Sequence, residues 1–516
     1  MPIWTLDNTT AAQVKVMSAL IICAILLFLS FFIFFGQFPK LRRNGKPLRK
    51  PLDTLPFAGN VLRFLQDRQD LLTWFANCER SFGFESFQIS VPTLPPGVVI
   101  NDPKNLDFVF RNEATFGKGE FFKSRATDLF GHGLINADGD LWKAQRKAGL
   151  QFLNDANLKV LTNVAVPRDL RTTVRELYDM DVNKPVDLQA VLLALTTKLM
   201  GRMAYDTDIT TAKDFSEAFE YASSATGRRF QNPLWRLTEP IMLRKLKKSL
   251  ATVKNYGKEI VANSVDKRDK GNNKADGSLP GISGSLINTL FDAIPDHQVV
   301  ADSALNYLFA GRETTAQALT WAFYTLIRHP HVVSLIRREI EAEGAEDALT
   351  GDPWADDYEC LRPNSLPYTR AVFYEVLRLY PTVPFEMKEC QTDTTLPDGT
   401  FLPKSSIVIW CPWAINRSKR IWGEDPEKFR PERWLQDGKL IPKSESEYPV
   451  FSGGARACLG QKMAESISVM VLAKFILFFD FEDVEGGYRF SRNSMTLPMK
   501  GGLPVWARAR KPAADL

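Results

Sequence analysis

Histidine and cysteine are scarce in this chain: four His and six Cys among 516 residues. The cysteines (Cys23, Cys78, Cys360, Cys390, Cys411 and Cys458) are scattered, with no CxxC pair and no neighbouring histidine. That excludes a zinc-ribbon or finger site and a disulfide framework, and it points to reduced thiols in the cytosol, or to one special thiol among ordinary ones. His132, His297, His329 and His331 make no ligand pattern. The net charge of +5 is too small to argue for nucleic acid. Internal repeats are absent. Phenylalanine, by contrast, is abundant, with 35 Phe against 12 Tyr, which suggests an apolar interior or cavity.

One long hydrophobic run exists. Residues 16–35 (VMSALIICAILLFLSFFIFF) carry no charge over a length that crosses a bilayer core. Six basic residues follow, from Lys40 to Lys50, with no acid after the run before Asp53. Positive-inside asymmetry predicts a single-pass anchor, residues 1–15 lumenal and the body cytosolic. A cleaved signal peptide is the rival reading; the length of the run and the basic cluster after it oppose that. Asn8 then heads a lumenal glycosylation sequon. Residues 36–56, basic and proline-spaced, read as a stiff connector, and 57–516 as one large domain.

The domain reads as mainly α with a minor β-sheet component. Alternation between Ser86 and Asn101 around PTLPPG suggests a small hairpin, and strand-like pieces recur over Thr394–Ile409. The polar stretch from Lys267 to Ser285 reads as an exposed loop. A long helix is expected from about Val299 to Arg328. At its middle, LFAGRETTAQALTW places Gly311, Arg312, Glu313, Thr314 and Thr315 in an otherwise apolar pattern. Glycine costs a helix interior about 1 kcal/mol, and Thr314 can bond the Ala310 carbonyl one turn back. A packing glycine and a local groove for a small molecule both fit. In FYEVLRLYP, Glu375 and Arg378 share a face among apolar neighbours. A buried pair needs a third partner, and Arg433 of FRPERW is the candidate.

Near the C-terminus runs FSGGARACLG, Phe451 to Gly460. Cys458 sits there between small residues, with Arg456 two positions before it. A thiolate is the ligand form of cysteine and is favoured by backbone N–H groups and positive charge. One thiolate in a roomy loop suits haem iron; a buried cysteine after a glycine turn is the alternative.

FSGGARACLG resembles the haem-ligand loop of the cytochromes P-450, the haem-thiolate monooxygenases, matching at Phe451, Gly454, Arg456, Cys458 and Gly460. AGRETT, Glu375-Val-Leu-Arg378, FRPERW and WKAQR resemble other marks of that family, in the same order. The resemblance implies haem b on Cys458 and shielding of the sulfur by Phe451. It implies Trp142, Arg146 and Arg456 on the haem propionates, and room for O2 and substrate at Ala310 and Gly311. Glu313 and Thr314 would guide protons, and Glu375, Arg378 and Arg433 would be structural. Where the family often has a propionate-binding arginine this chain has Lys388, near the unusual Glu386 and Cys390.

The implied partners are O2, NADPH–cytochrome P-450 reductase with cytochrome b5 as a second donor, and the endoplasmic reticulum membrane; no nucleic acid is implied. Lys143, Lys147 and Lys462 are candidates for docking the flavoprotein. GDLWKAQRK, RFQNPLWRL and AGRETT further resemble the fungal and plant alkane and fatty-acid ω-hydroxylases, implying an elongated apolar channel lined by Phe121, Phe122, Leu308, Val383 and Phe385. A fungal enzyme tailoring a terpenoid or polyketide is the alternative, and a haem-thiolate isomerase or a haem-binding sensor a more distant one.

Overall fold

The computed structural model describes residues 17–23, 25–26, 41–91, 94–95, 97–205, 213–241, 243–269, 285–343 and 361–510. Among them no helix is long and apolar enough to cross a membrane. Of the expected anchor, residues 17–23 and 25–26 are helical, with exposed apolar side chains such as Met17, Leu20 and Ile25. The rest of that segment, Asn8, Cys360 and residues 270–284 lie outside the described residues. Of the loop expected from Lys267, residues 267–269 are instead helical, the last of a helix that runs to Asp269.

The helices that place the site are α1 (Arg68–Phe82), α2 (Pro103–Arg111), α3 (Gly119–Phe130), α4 (Gly139–Phe152), α5 (Leu188–Tyr205), α6 (Lys213–Gln231), α7 (Leu243–Asp269), α8 (His297–Ile327), α9 (Pro367–Leu379) and α10 (Gln461–Phe478). Helix α8 starts where the Asp296 carboxylate accepts the N–H groups of Gln298 and Val299 at 2.8 and 3.4 Å, capping donors that have no intrahelical partner. From Val300 to Leu326 every residue is buried except Ala310 and Thr314. These two stand one turn apart on one face, so the helix is wrapped by its neighbours everywhere but along one short stripe.

Helix α5 lies against α8. Thr196 Oγ1 donates to the Arg312 carbonyl at 3.1 Å, and Arg312 Nε donates to Thr197 Oγ1 at 2.7 Å. A Cβ on Gly311 would stand 2.3 Å from Met200 Sδ of α5. The glycine is therefore a close-approach residue between helices, and it also lines the cavity beside Ala310.

A five-stranded sheet flanks the helices, built from β1 (Phe87–Ile89), β2 (Gly97–Val99), β3 (Phe116–Gly117), β4 (Glu386–Cys390) and β5 (Ile407–Trp410) in the order β1-β2-β5-β4-β3. The expected hairpin is β1 against β2, with Phe87 opposite Val99. Strand β5 runs parallel to β2 and antiparallel to β4, with Val408 opposite Lys388. Smaller sheets join residues 42–47 to 394–402 and residues 186–187 to 479–509. The segment expected to act as a connector through residue 56 is part of the body from Leu41 on. Leu41 and Leu48 are buried, Arg42 pairs with Phe401, and Arg43 bonds Glu85 at 2.6 Å.

Candidate active site

The loop before α10 is shaped by contact with α2. Gly454 has φ +61, and a Cβ there would lie 2.1 Å from the Phe110 carbonyl; one on Gly453 would lie 2.2 Å from the Phe110 ring. These glycines let α2 pack on the loop, which differs from the expectation that they make room for a flat ligand. Gly460 does keep that role: beyond its spot only Met463 comes within 4 Å, at 3.8 Å. The Cys458 N–H donates to the Phe451 carbonyl at 2.8 Å, closing the loop. The Cys458 side chain is left open to a cavity of about 430 Å³. Burial within that pocket pushes the thiol up, while the Gly460 N–H at the start of α10 and the Arg146 guanidinium pull it down. A bound metal cation deprotonates such a thiol outright.

Ala310 and Thr314 open onto the same cavity. Thr314 Oγ1 donates to the Ala310 carbonyl at 2.5 Å, the back-bond expected from the sequence. Glu313 does not line it. Its carboxylate is buried, bonded to the Arg312 guanidinium and to Gln317 Nε2 at 3.1 Å. Gln317 Nε2 also donates to Thr496 Oγ1 at 2.9 Å, and Thr496 does line the cavity. Glu313 thus stands behind the wall, joined to it through Gln317 and Thr496.

One end of the cavity is basic. Trp142, Arg146, Lys388 and Arg456 meet there, as expected, together with Lys118, which no sequence motif marked. Arg456 donates to the Ala137 carbonyl at 2.9 Å, pairs with Glu113 at 3.0 Å and Asp138 at 2.8 Å, and lies over Trp142 at 4.0 Å. Arg146 donates to the Ala457 carbonyl at 2.9 Å. Lys118, Arg146 and Lys388 have no salt-bridge partner among the described residues, and Lys388 is only 5% exposed. Burial, Lys118 and Arg456 push the Lys388 ammonium well below its usual range, with Glu386 opposing. Glu386 is pushed up by burial against Lys118 and Lys388, and accepts from Ser452 Oγ at 3.3 Å.

A buried cation without an ion pair is costly, and the buried Lys388 with the half-buried Lys118 and Arg146 beside it, at one end of an apolar chamber, suits a prosthetic group carrying two carboxylates. With a single sulfur open to the same chamber, these residues fit a haem. Phe451 lines the chamber beside Cys458 and meets Tyr374 edge-on at 6.4 Å.

Behind α9, Arg378 forms a fork on Glu375 at 2.8 and 2.9 Å, both side chains wholly buried. Arg433 joins at 3.0 Å, as predicted. Trp434 Nε1 at 2.9 Å and the Arg430 N–H at 2.9 Å complete the set of donors; sequence spacing did not reveal them.

Of the lining residues expected, Phe122, Val383 and Phe385 face the cavity. Phe121 and Leu308 do not. Phe121 lies under the Arg125 guanidinium at 3.7 Å, and Leu308 is in the core on the closed side of α8. The wall also takes Phe75, Phe130, Phe230, Phe309 and Met200, drawn from distant segments that no local pattern links. On the surface, Lys143 and Lys462 are paired with Asp140 and Asp155, and Lys147 is exposed.

Comparison with known proteins gives the chain a family. A family model, Cytochrome P450, matches residues 49–501. Among similar proteins, Cytochrome P450 86B1 of Arabidopsis thaliana is 31% identical over 78% of this chain and 76% of its own length. Cytochrome P450 94C1 of the same plant is 28% identical over 86% of this chain and 90% of its own. Cytochrome P450 monooxygenase cyp1 of Mycosarcoma maydis is 28% identical over 88% and 74%.

The fold and chamber are those of a haem-thiolate monooxygenase, and the chain belongs to the cytochrome P450 family. As a member it uses haem with an axial cysteine thiolate, O2, a reductase and a hydrophobic substrate.

Proposed function

We propose that the chain hydroxylates a long-chain fatty acid or alkane at its terminal carbon, with Cys458 as the ligand of the haem iron. The observation that carries this is that Cys458, Ala310 and Thr314 open onto one chamber whose remaining wall is largely phenylalanine and aliphatic side chains. The likeness to the plant 86 and 94 proteins supports the chain-shaped substrate class.

When bound, thiolate-ligated haem supplies reductive activation of O2 and insertion of one oxygen atom into a C–H bond. The chain's own residues do the rest. Cys458 gives the sulfur, and the Gly460 N–H steadies its charge. Lys118, Arg146, Lys388, Arg456 and the Trp142 indole hold the carboxylates of the prosthetic group. Thr314 holds a proton at Oγ1, beside an Ala310 that adds no bulk. Glu313 serves the same proton delivery from behind the wall, by holding Gln317, whose Nε2 donates both to its carboxylate and to Thr496 Oγ1. Phe122, Phe385, Val383 and their neighbours exclude water and seat the chain. Glu375, Arg378 and Arg433 hold the loop-bearing core in place.

Residues 16–35 anchor the protein in the endoplasmic reticulum with the body cytosolic and Asn8 lumenal, and NADPH–cytochrome P-450 reductase, assisted by cytochrome b5, delivers electrons. The uncharged run and the basic residues after it support this.

The decisive experiment incubates microsomes holding the protein with a reductase, NADPH and a panel of linear acids, alkanes and terpenoids, and reads products by mass spectrometry. Terminal alcohols from linear chains are expected. Turnover of ring systems alone would replace this reading with a tailoring role, which the polar Glu386 and Lys388 in the chamber wall favour. Product formed without O2 uptake would indicate an isomerase.

A further inference from the structure

We infer that Arg68 receives a carboxylate carried by the substrate, so that the enzyme acts on acids in preference to neutral chains. The inference rests on the reading of this chamber as the substrate site.

Arg68 is the first residue of α1, is 8% exposed, and lines the cavity with Phe64, Leu71, Phe75 and Phe385. Its Nε is buried without a hydrogen-bond partner, and the side chain makes no hydrogen bond or ion pair among the described residues. The other buried arginines differ. Arg125, Arg229, Arg312, Arg378 and Arg417 each donate to a carboxylate, a hydroxyl or a carbonyl. Asp67 and Asp70, on the same turn, are exposed and do not pair with it. Phe385 lies 5.1 Å from the guanidinium carbon, and Phe75 meets Phe385 edge-on at 4.9 Å.

An arginine cannot shed its proton near neutral pH, even with burial drawing it down to about 10. The ionisable group nearest in effect is Cys411, whose thiol burial pushes up to about 12 and so keeps neutral. The chain therefore buries a permanent cation, and the described residues supply no anion for it. Burial of a lone charge is expensive unless something neutralises it. A planar guanidinium binds carboxylate through two parallel hydrogen bonds. The start of α1 adds positive potential at the same place. The aromatic and aliphatic neighbours suit the first methylenes behind such a carboxylate. The basic residues that suit the prosthetic group form a separate set, none of which is among the groups that perturb Arg68.

The test uses the full-length, haem-loaded protein and its Soret shift on ligand binding. Hexadecanoic acid, its methyl ester and an apolar ring-based acid with its ester are titrated into wild type, Arg68→Gln and Arg68→Lys, with the carbon-monoxide spectrum as the check of fold and haem. Wild type should bind the acid more tightly than its ester. Arg68→Gln should weaken acid binding about 10- to 100-fold and leave the ester within about twofold, and Arg68→Lys should keep part of the preference.

Equal binding of acid and ester by wild type overturns the inference, and that comparison needs no variant to fold. Equal losses for acid and ester, or loss of haem from Arg68→Gln, also overturn it. Linear esters bound as well as linear acids would leave the long-chain reading standing without Arg68. Arg68-dependent binding of ring acids alone would keep Arg68 and discard the long chain.

Discussion

Trp434 donates its indole N–H, at 2.9 Å, to the same Glu375 carboxylate that holds Arg378 and Arg433. Four side-chain and backbone groups thus converge on one carboxylate with no access to water. Glu375→Ala would strand two cations there, and a broken buried pair of this kind costs about 3–5 kcal/mol. Little holoprotein should be recovered, which a carbon-monoxide spectrum of cell extracts would register. Trp434→Phe removes one neutral donor and should cost about 1 kcal/mol. A full yield from Glu375→Ala would show that the cluster is dispensable.

Cys458→Ala should abolish the reduced carbon-monoxide band characteristic of thiolate-ligated haem, because no other cysteine among the described residues opens onto the chamber. Retention of that band would move the ligand elsewhere.

Thr314→Ala removes the hydroxyl on the open stripe of α8 while leaving the helix buried on its other faces. Haem content should be unchanged. NADPH consumption should persist with a larger share appearing as hydrogen peroxide, and product should fall about 10-fold or more. Glu313→Gln should do the same more mildly, since its carboxylate acts on the wall only by orienting the Gln317 amide that donates to Thr496 Oγ1. Unchanged coupling in both variants would take α8 out of proton delivery.

Gly311→Ala sets two effects against each other. The helix gains about 1 kcal/mol in propensity, but the new methyl meets Met200 Sδ at 2.3 Å, and overpacking costs about 1–3 kcal/mol. Met200 also lines the chamber, so its displacement should shrink the space and weaken binding of long ligands. Adding Met200→Ala should restore it. Ligand titrations of the two single variants and the double variant would reveal the coupling.

Burial and two neighbouring cations hold the Lys388 ammonium below the usual lysine range. A carboxylate of the prosthetic group raises it again, so haem binding takes up protons between the lowered value and lysine's ordinary one, about 10.4. Haem retention should therefore weaken as pH rises through that interval. Lys388→Arg stays charged and should flatten the dependence, and Lys388→Met should weaken retention at every pH. Soret absorbance after gel filtration at a series of pH values measures this.

The motifs identified residues whose chemistry depends on near neighbours in the chain. Cys458 needs a glycine turn and a helix start, Glu375 and Arg378 need one helical turn between them, and Thr314 needs the carbonyl four residues back. Those relations are local, so the sequence alone determined them. Glu313, two positions from Gly311 in the same motif, turned out to lie behind the wall, because a helix rotates each successive residue by about 100° and only one stripe of α8 stays open.

Tertiary structure decided what distant segments do to one another. It assigned Gly311 to Met200 and Gly453 and Gly454 to Phe110. It brought Lys118 to the basic end of the chamber, took Phe121 and Leu308 out of the wall, and left Arg68 buried without a counter-ion among the described residues. Burial and pairing are properties of the neighbours a side chain meets after folding, and a run of residue types does not specify which neighbours those are.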